Sequence, residues 1–172
     1  MMMILFAGYK GSGKTTAIAA LTRSLCKLGK EVCTVKHIHG DEEFAFDEKG
    51  KDSWIQVRSG ASTVIAVSKD MIYKVERFGR NRSPFEALNE ALKGLSVDFV
   101  LVEGFNKELS KINVKTVICA KTESEADDLL RVHRNPLFIC GELRNRMTTY
   151  HGVPVLDIVN DTEKAIRLIS LS

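Results

Sequence analysis

The chain has 172 residues, 44% of them hydrophobic and 27% charged, with a formal net charge of +3. That length supplies one sizeable core and favours a single domain over residues 1–172. The small positive charge falls short of the clustered excess that marks a dedicated nucleic-acid binder, so no nucleic-acid partner is expected. Cys26, Cys33, Cys119 and Cys140 are scattered without a C-x-x-C pair, so neither a zinc site nor a disulfide framework is indicated, and buried thiols of a reducing compartment are expected.

Met2 to Ala7 is an unbroken apolar run ended by Gly8, the pattern of a strand buried on both faces of a parallel sheet. It shows no basic leader or cleavage site, and no run reaches the ~18 apolar residues of a membrane span. A cytoplasmic protein without membrane attachment is expected. Gly8 to Thr15 then read G-Y-K-G-S-G-K-T, which satisfies the phosphate-loop spacing G-x-x-x-x-G-K-[ST]. Glycines let successive backbone N–H groups turn inward around phosphate oxygens where a Cβ would obstruct them. Gly8, Tyr9, Lys10, Gly11, Ser12, Gly13, Lys14, Thr15 and Thr16 are therefore the expected nucleotide-binding residues. Lys14 would reach the β and γ phosphates and Thr15 would offer a hydroxyl to Mg²⁺, with the positive end of the next helix beneath.

Ile18, Leu21, Leu25 and Leu28 recur at helical spacing up to Gly29, and Glu31 to Lys36 gives a second strand. Strand, loop, helix and strand make a parallel crossover unit. His37 to Lys51 is polar and aperiodic, a surface loop. Asp52 and Ser53 are placed to cap a helix through Arg58 that Gly60 closes. Ser62 to Val67 and Met71 to Phe78 flank Lys69-Asp70 as a hairpin, expected as an antiparallel appendage to the sheet. Ser83, Pro84 and Glu86 spell a capping box for a helix that ends before Gly94. Val97 to Val102, Val114 to Ala120, Leu137 to Cys140 and Val153 to Ile158 read as strands. Glu123 to Val132 and Asp161 to Leu171 read as helices. The expected fold is α/β, a doubly wound, mostly parallel sheet of the P-loop NTPase type with a short antiparallel hairpin.

Ligands of such sheets bind beyond the carboxyl ends of the strands. Three further elements fall there: Lys36 to Asp41, Glu103-Gly104-Phe105, and Lys121 to Glu123. Glu103 either directs a carboxylate at Mg²⁺, as a Walker B residue does, or caps a turn with Gly104. Asp98, at the start of the same strand, lies about 16 Å away at ~3.3 Å per residue and does not share that role. His37, His39 and Asp41 alternate, so in an extended segment they face one way, toward a metal, a phosphate or a substrate. Asp52 has two readings, a helix cap or a carboxylate aimed at Mg²⁺. The loop bearing Arg77, Arg80 and Arg82 is either a solvated turn or a contact for an anion.

Taken together, the loop Gly8 to Thr16, the element Lys36-His37-x-His39-x-Asp41, the run Gly50-Lys51-Asp52-Ser53-Trp54 followed by Arg58-Ser59-Gly60-Ala61, and Val102-Glu103-Gly104-Phe105 resemble the molybdopterin-guanine dinucleotide biosynthesis protein B (MobB) family. The likeness runs in order through the first hundred residues and is general beyond Phe105. It implies GTP and Mg²⁺ as cofactors, slow GTP hydrolysis, a homodimer, and an accessory role beside a molybdopterin guanylyltransferase. By the same resemblance Lys14, Asp52 and Glu103 carry the chemistry, Thr15, Asp52 and Glu103 lie near the metal, and His37, His39 and Asp41 face the nucleotide or a pterin. The guanine-reading motif N-K-x-D is absent: Asn106-Lys107-Glu108-Leu109 lacks its aspartate, and Ala120-Lys121-Thr122-Glu123 only approximates it. The rival reading is a small-molecule kinase using Mg·ATP or Mg·GTP, which would transfer the γ-phosphate to a metabolite.

Overall fold

The computed structural model describes residues 1–38, 47–79 and 81–170. His39, Asp41 and Arg80 lie outside the described residues. The chain forms two compact units, one of Met1–His37 with Leu95–Ser172, the other of Ile38–Gly94.

The first unit is built on β1 (Met2–Gly8), β2 (Val32–Lys36), β5 (Phe99–Glu103), β6 (Lys115–Cys119) and β7 (Pro136–Cys140), in the order β2-β5-β1-β6-β7 and parallel throughout. β1 is central, and its Ile4, Leu5, Phe6 and Ala7 are completely buried. Successive side chains of a strand point to opposite faces, so an unbroken apolar run is what a sheet covered on both sides demands. Ile4 and Phe6 join Leu101, Val117 and Phe138 in a core with α1 (Lys14–Lys27) and α6 (Thr162–Ser170), through Leu21, Leu25, Ala165 and Ile169. α4 (Asn106–Leu109) and α5 (Glu123–Val132) also pack on β1, and Leu109 and Ala126 are fully buried. The turn after α1 ends on Gly29 at φ 72°, where the Lys30 N–H reaches the Leu25 carbonyl at 3.1 Å and closes the helix.

The second unit holds α2 (Asp52–Arg58), the hairpin β3 (Thr63–Val67) with β4 (Ile72–Glu76), and α3 (Pro84–Leu92). Its capping box is complete: the Ser83 hydroxyl accepts from the Glu86 N–H, and the Glu86 carboxylate accepts from the Ser83 N–H at 2.7 Å. The expected short antiparallel hairpin is present, and among the described residues it forms a two-stranded sheet of its own. The cap expected of Asp52 is corrected: Lys51 holds the N-cap position, and Asp52 is the first helical residue. Ser53 likewise turns away from the cap, donating its hydroxyl to Asp47 at 2.5 Å.

The final expected strand is shorter than its apolar pattern, with β8 (Thr149–Tyr150) and β9 (Val153–Pro154) forming a small ribbon and Val155 bridging to Ile139. Leu156 and Ile158 are buried in the core without belonging to a strand, and the Leu156 N–H donates to the Ile139 carbonyl at 2.8 Å, so β-type pairing continues one residue beyond β9 only through this bridge. No described helix is long and apolar enough to cross a membrane.

His133, directly after α5, is 3% exposed, and burial lowers the pKa of its imidazole. The unfolded chain protonates this group near the usual ~6.5 and the folded chain only at lower pH, so stability contributed by neutral His133 is intact above ~6.5 and falls as pH drops below it. Urea unfolding at successive pH values should show this loss, at most about 1.4 kcal/mol per pH unit from one proton. A His133→Leu variant should flatten the slope; an unchanged slope would contradict the assignment.

Candidate nucleotide site

The loop between β1 and α1 turns through two glycines at positive φ, Gly11 at 74° and Gly13 at 92°, a region that side chains disfavour. Gly8 is constrained by space instead. A Cβ there would meet the Cys119 carbonyl oxygen at 2.4 Å and the Ser12 Oγ at 2.4 Å. Gly13 caps α1 without any side-chain bond, and the first amides of a helix have no carbonyl one turn earlier to bond. Those N–H groups and the helix dipole are therefore turned to the loop interior.

Lys14 lies across this loop, its Nζ donating to the carbonyls of Gly8 at 2.9 Å and Tyr9 at 2.7 Å. Its ammonium also stands 4.0 Å from Glu103 Oε1. The Thr15 hydroxyl donates to Glu103 Oε2 at 3.3 Å. Lys14, expected at the phosphates, and Thr15 and Glu103, expected near the cation, thus converge across 88 positions of chain. Glu103 arrives there because it ends β5, which pairs with β1 in parallel register, Phe6 opposite Glu103. Asp98 sits at the other end of the strand, where its carboxylate accepts from the Glu31 N–H at 2.9 Å.

The residues fit a polyphosphate with a divalent cation. Ser12 is 2% exposed and its Oγ has no partner among the described residues, a buried donor in the floor of the loop. Thr15 and Glu103 supply hard oxygen donors of the kind Mg²⁺ selects, beside an ammonium and uncapped amides that suit phosphate. Among the described residues no three His, Cys, Asp or Glu side chains cluster as a metal cage.

Beside Glu103, the backbone makes a tight clasp. The His37 N–H donates to the Glu103 carbonyl at 2.8 Å, and the His37 ring stacks on Phe105 with centroids 4.1 Å apart. Gly104 must lack a side chain, since a Cβ would lie 2.4 Å from the Cβ of His37. Glycine in Glu103-Gly104-Phe105 is thus set by close approach of the second strand's exit, a constraint that sequence spacing could not reveal. In the second unit Asp52 opens α2, Arg58 lies over the Trp54 ring at 5.5 Å, and Arg77 donates to the Val57 carbonyl at 2.5 Å. Arg77 therefore binds the hairpin to α2.

Behind the loop, Cys119 and Cys140 face each other on neighbouring strands with sulfurs 3.3 Å apart. Their mutual hydrogen bond, followed by burial, pushes the Cys119 thiol well above its ordinary range, so it is a poor nucleophile.

The model of the family described as molybdopterin guanine dinucleotide synthesis protein B matches residues 3–134. The chain belongs to this family. An Escherichia coli member, named a molybdopterin-guanine dinucleotide biosynthesis adapter protein, is 31% identical over 112 residues, 64% of this chain and 63% of that protein. A relative from Methanocaldococcus jannaschii is 30% identical over 134 residues, 77% of this chain and 53% of its own. The chain spans just over half to under two thirds of the length of these relatives. Among solved structures, Bacillus subtilis MobB superposes with a TM-score of 0.69 at 23% identity, covering 99% of this chain and 97% of that one. A MobB homologue from Bacillus stearothermophilus does so with 0.69 at 20%. Both MobB structures bear on the fold, which is the expected P-loop type α/β architecture.

Proposed function

We propose that this MobB family member binds Mg·GTP in the loop Gly8 to Thr16, hydrolyses it slowly, and serves molybdopterin guanine dinucleotide biosynthesis in the cytoplasm as an accessory of a guanylyltransferase. The observation that supports it most is the meeting of Lys14 and Thr15 with Glu103 at the mouth of the loop. Lys14 neutralises charge on the terminal phosphates while fastening the loop carbonyls. Thr15 and Glu103 would hold the cation, which would supply neutralisation of phosphate charge. The same reading, by family resemblance, assigns Asp52 to the cation and His37, His39 and Asp41 to the nucleotide or the pterin. With no arginine or glutamine assigned to orient water, turnover is slow and matches an adapter better than a kinase.

A homodimer belongs to the same reading. Ile65, Val67 and Ile72 are 60%, 73% and 73% exposed on one face of the hairpin. A two-stranded sheet that leaves one apolar face exposed is stabilised when a second copy covers that face.

The test couples binding to assembly. Glu103→Gln should reduce the Mg²⁺ enhancement of GTP affinity about tenfold, as loss of a carboxylate near a metal usually does. The same variant should support less dinucleotide formation by a guanylyltransferase than the parent chain. Unchanged Mg²⁺ dependence together with unchanged product would refute the proposal.

A further inference from the structure

Cys119 and Cys140 end two neighbouring strands, β6 and β7, and are direct partners in the parallel register. Their sulfurs stand 3.3 Å apart, whereas a disulfide holds them at about 2.05 Å, so only a small approach separates the thiol pair from a covalent bond. The other two cysteines lie elsewhere, Cys26 exposed on α1 and Cys33 on the edge strand β2.

The buried pair is tied to the phosphate loop through Cys119. This residue is in register with Gly8, where the loop begins. The space beside Gly8 is filled by Cys119 itself: a Cβ there would lie 2.4 Å from its carbonyl oxygen and 3.0 Å from its Cβ. Beyond the bond to Cys140, burial and the Cys140 charge, the Cys119 thiol also feels Lys14 and Glu103, the two charged groups at the loop mouth. A shift of Cys119 is therefore passed directly to the floor of the loop, where Ser12 is buried.

We propose that Cys119 and Cys140 are a reversible redox switch, closed to a disulfide by a hydroperoxide, and that closure loosens the phosphate loop. The redox step stands on the two thiols alone; its effect on the nucleotide rests on the proposed Mg·GTP reading. Cys119 is the poorer nucleophile, so the Cys140 thiolate attacks the hydroperoxide, breaks its O–O bond and becomes a sulfenic acid. The departing oxygen takes up the proton that Cys140 gave away. The Cys119 sulfur then attacks the Cys140 sulfur, the S–S bond forms, and the sulfenic hydroxyl leaves with the Cys119 proton as water. Two electrons from the thiols thus reduce the hydroperoxide, and a dithiol reopens the pair by thiol–disulfide exchange. Because both sulfurs are buried, this oxidation runs more slowly than that of exposed Cys26. Bonding draws Cys119 toward β7 and away from Gly8, so the loop loses the contact that fixes its start.

The full chain carrying Cys26→Ser and Cys33→Ser, treated with hydrogen peroxide, isolates the pair. Intact mass, peptide mapping, hydrogen exchange of the loop amides from Tyr9 to Lys14, and calorimetry with Mg·GTP follow the product. It should be lighter by two hydrogens, cross-linked between Cys119 and Cys140, and faster in loop exchange. Its Mg·GTP affinity should fall about tenfold, an ordinary size for coupling between sites. Dithiothreitol should reverse all four changes, and adding Cys140→Ala should abolish the response to peroxide. Thiols left intact, oxygen added without the cross-link, or a cross-link that leaves loop exchange as it was would overturn the proposal. So would unchanged Mg·GTP affinity in a chain that binds it. A reduced chain that binds no GTP, yet gains both the cross-link and faster loop exchange on oxidation, would contradict the nucleotide reading and support the switch.

Discussion

Lys14→Ala should abolish measurable Mg·GTP binding at ordinary concentrations, raising Kd by roughly 100-fold or more. Two effects add. The ammonium is lost from the phosphates, and a charge-assisted bond of this kind is worth about 1.5–3 kcal/mol. The Gly8 and Tyr9 carbonyls, bonded by Nζ at 2.9 and 2.7 Å, also lose the clamp that shapes the loop before any ligand arrives. Binding must then supply the order that Lys14 provides in advance. The fold should survive, because Lys14 lies at the surface end of α1 and outside the hydrophobic core. Calorimetry beside a thermal melt checks both statements. A variant that binds within about fivefold of the parent would show that Lys14 has another role.

Gly8→Ala is the second large effect, and it acts on the fold as well as the site. Its new methyl would stand 2.4 Å from the Cys119 carbonyl, which is backbone at the paired position of β6 and cannot swing away. The Ser12 hydroxyl, equally near, can rotate, but only by leaving its buried place under the loop. Prying β1 from β6 in the centre of the sheet should cost about 1–3 kcal/mol or more, as overpacking of a dense interior does. Gly11→Ala makes a useful contrast: a Cβ there has open space around it, and the penalty is the positive φ alone, about 1–2 kcal/mol. Urea denaturation should therefore rank Gly8→Ala as the more damaging. The reverse order would mean that the β1–β6 contact is looser than described.

These two glycines show what a sequence can and cannot disclose. The tight turn through Gly8, Gly11 and Gly13 into the helix that begins at Lys14 was legible because its determinants are local, a turn of amides feeding a helix. Glu103 was also legible, since a carboxylate ending an apolar strand must emerge at the ligand edge of a parallel sheet. Helices with written boundaries, such as the one capped by Ser83 and Pro84 or the one from Glu123 to Val132, coincide closely with the structure. Constraints that arise from strand order stayed hidden. Gly104 looks like an ordinary turn glycine until β2 is seen beside β5. The antiparallel hairpin was legible too, although alternation marks a strand and not the sheet it joins. Asp52 misled through its residue type, because an aspartate before an apolar turn suits both the cap and the first helical position.

The measurement that bears most directly on the account is a calorimetric titration of the unmodified chain with GTP, in matched buffers with Mg²⁺ and with chelator. Saturable one-to-one binding that weakens when the cation is removed is the predicted result. Absence of heat with any purine triphosphate in either buffer, from protein shown to be folded, would contradict it.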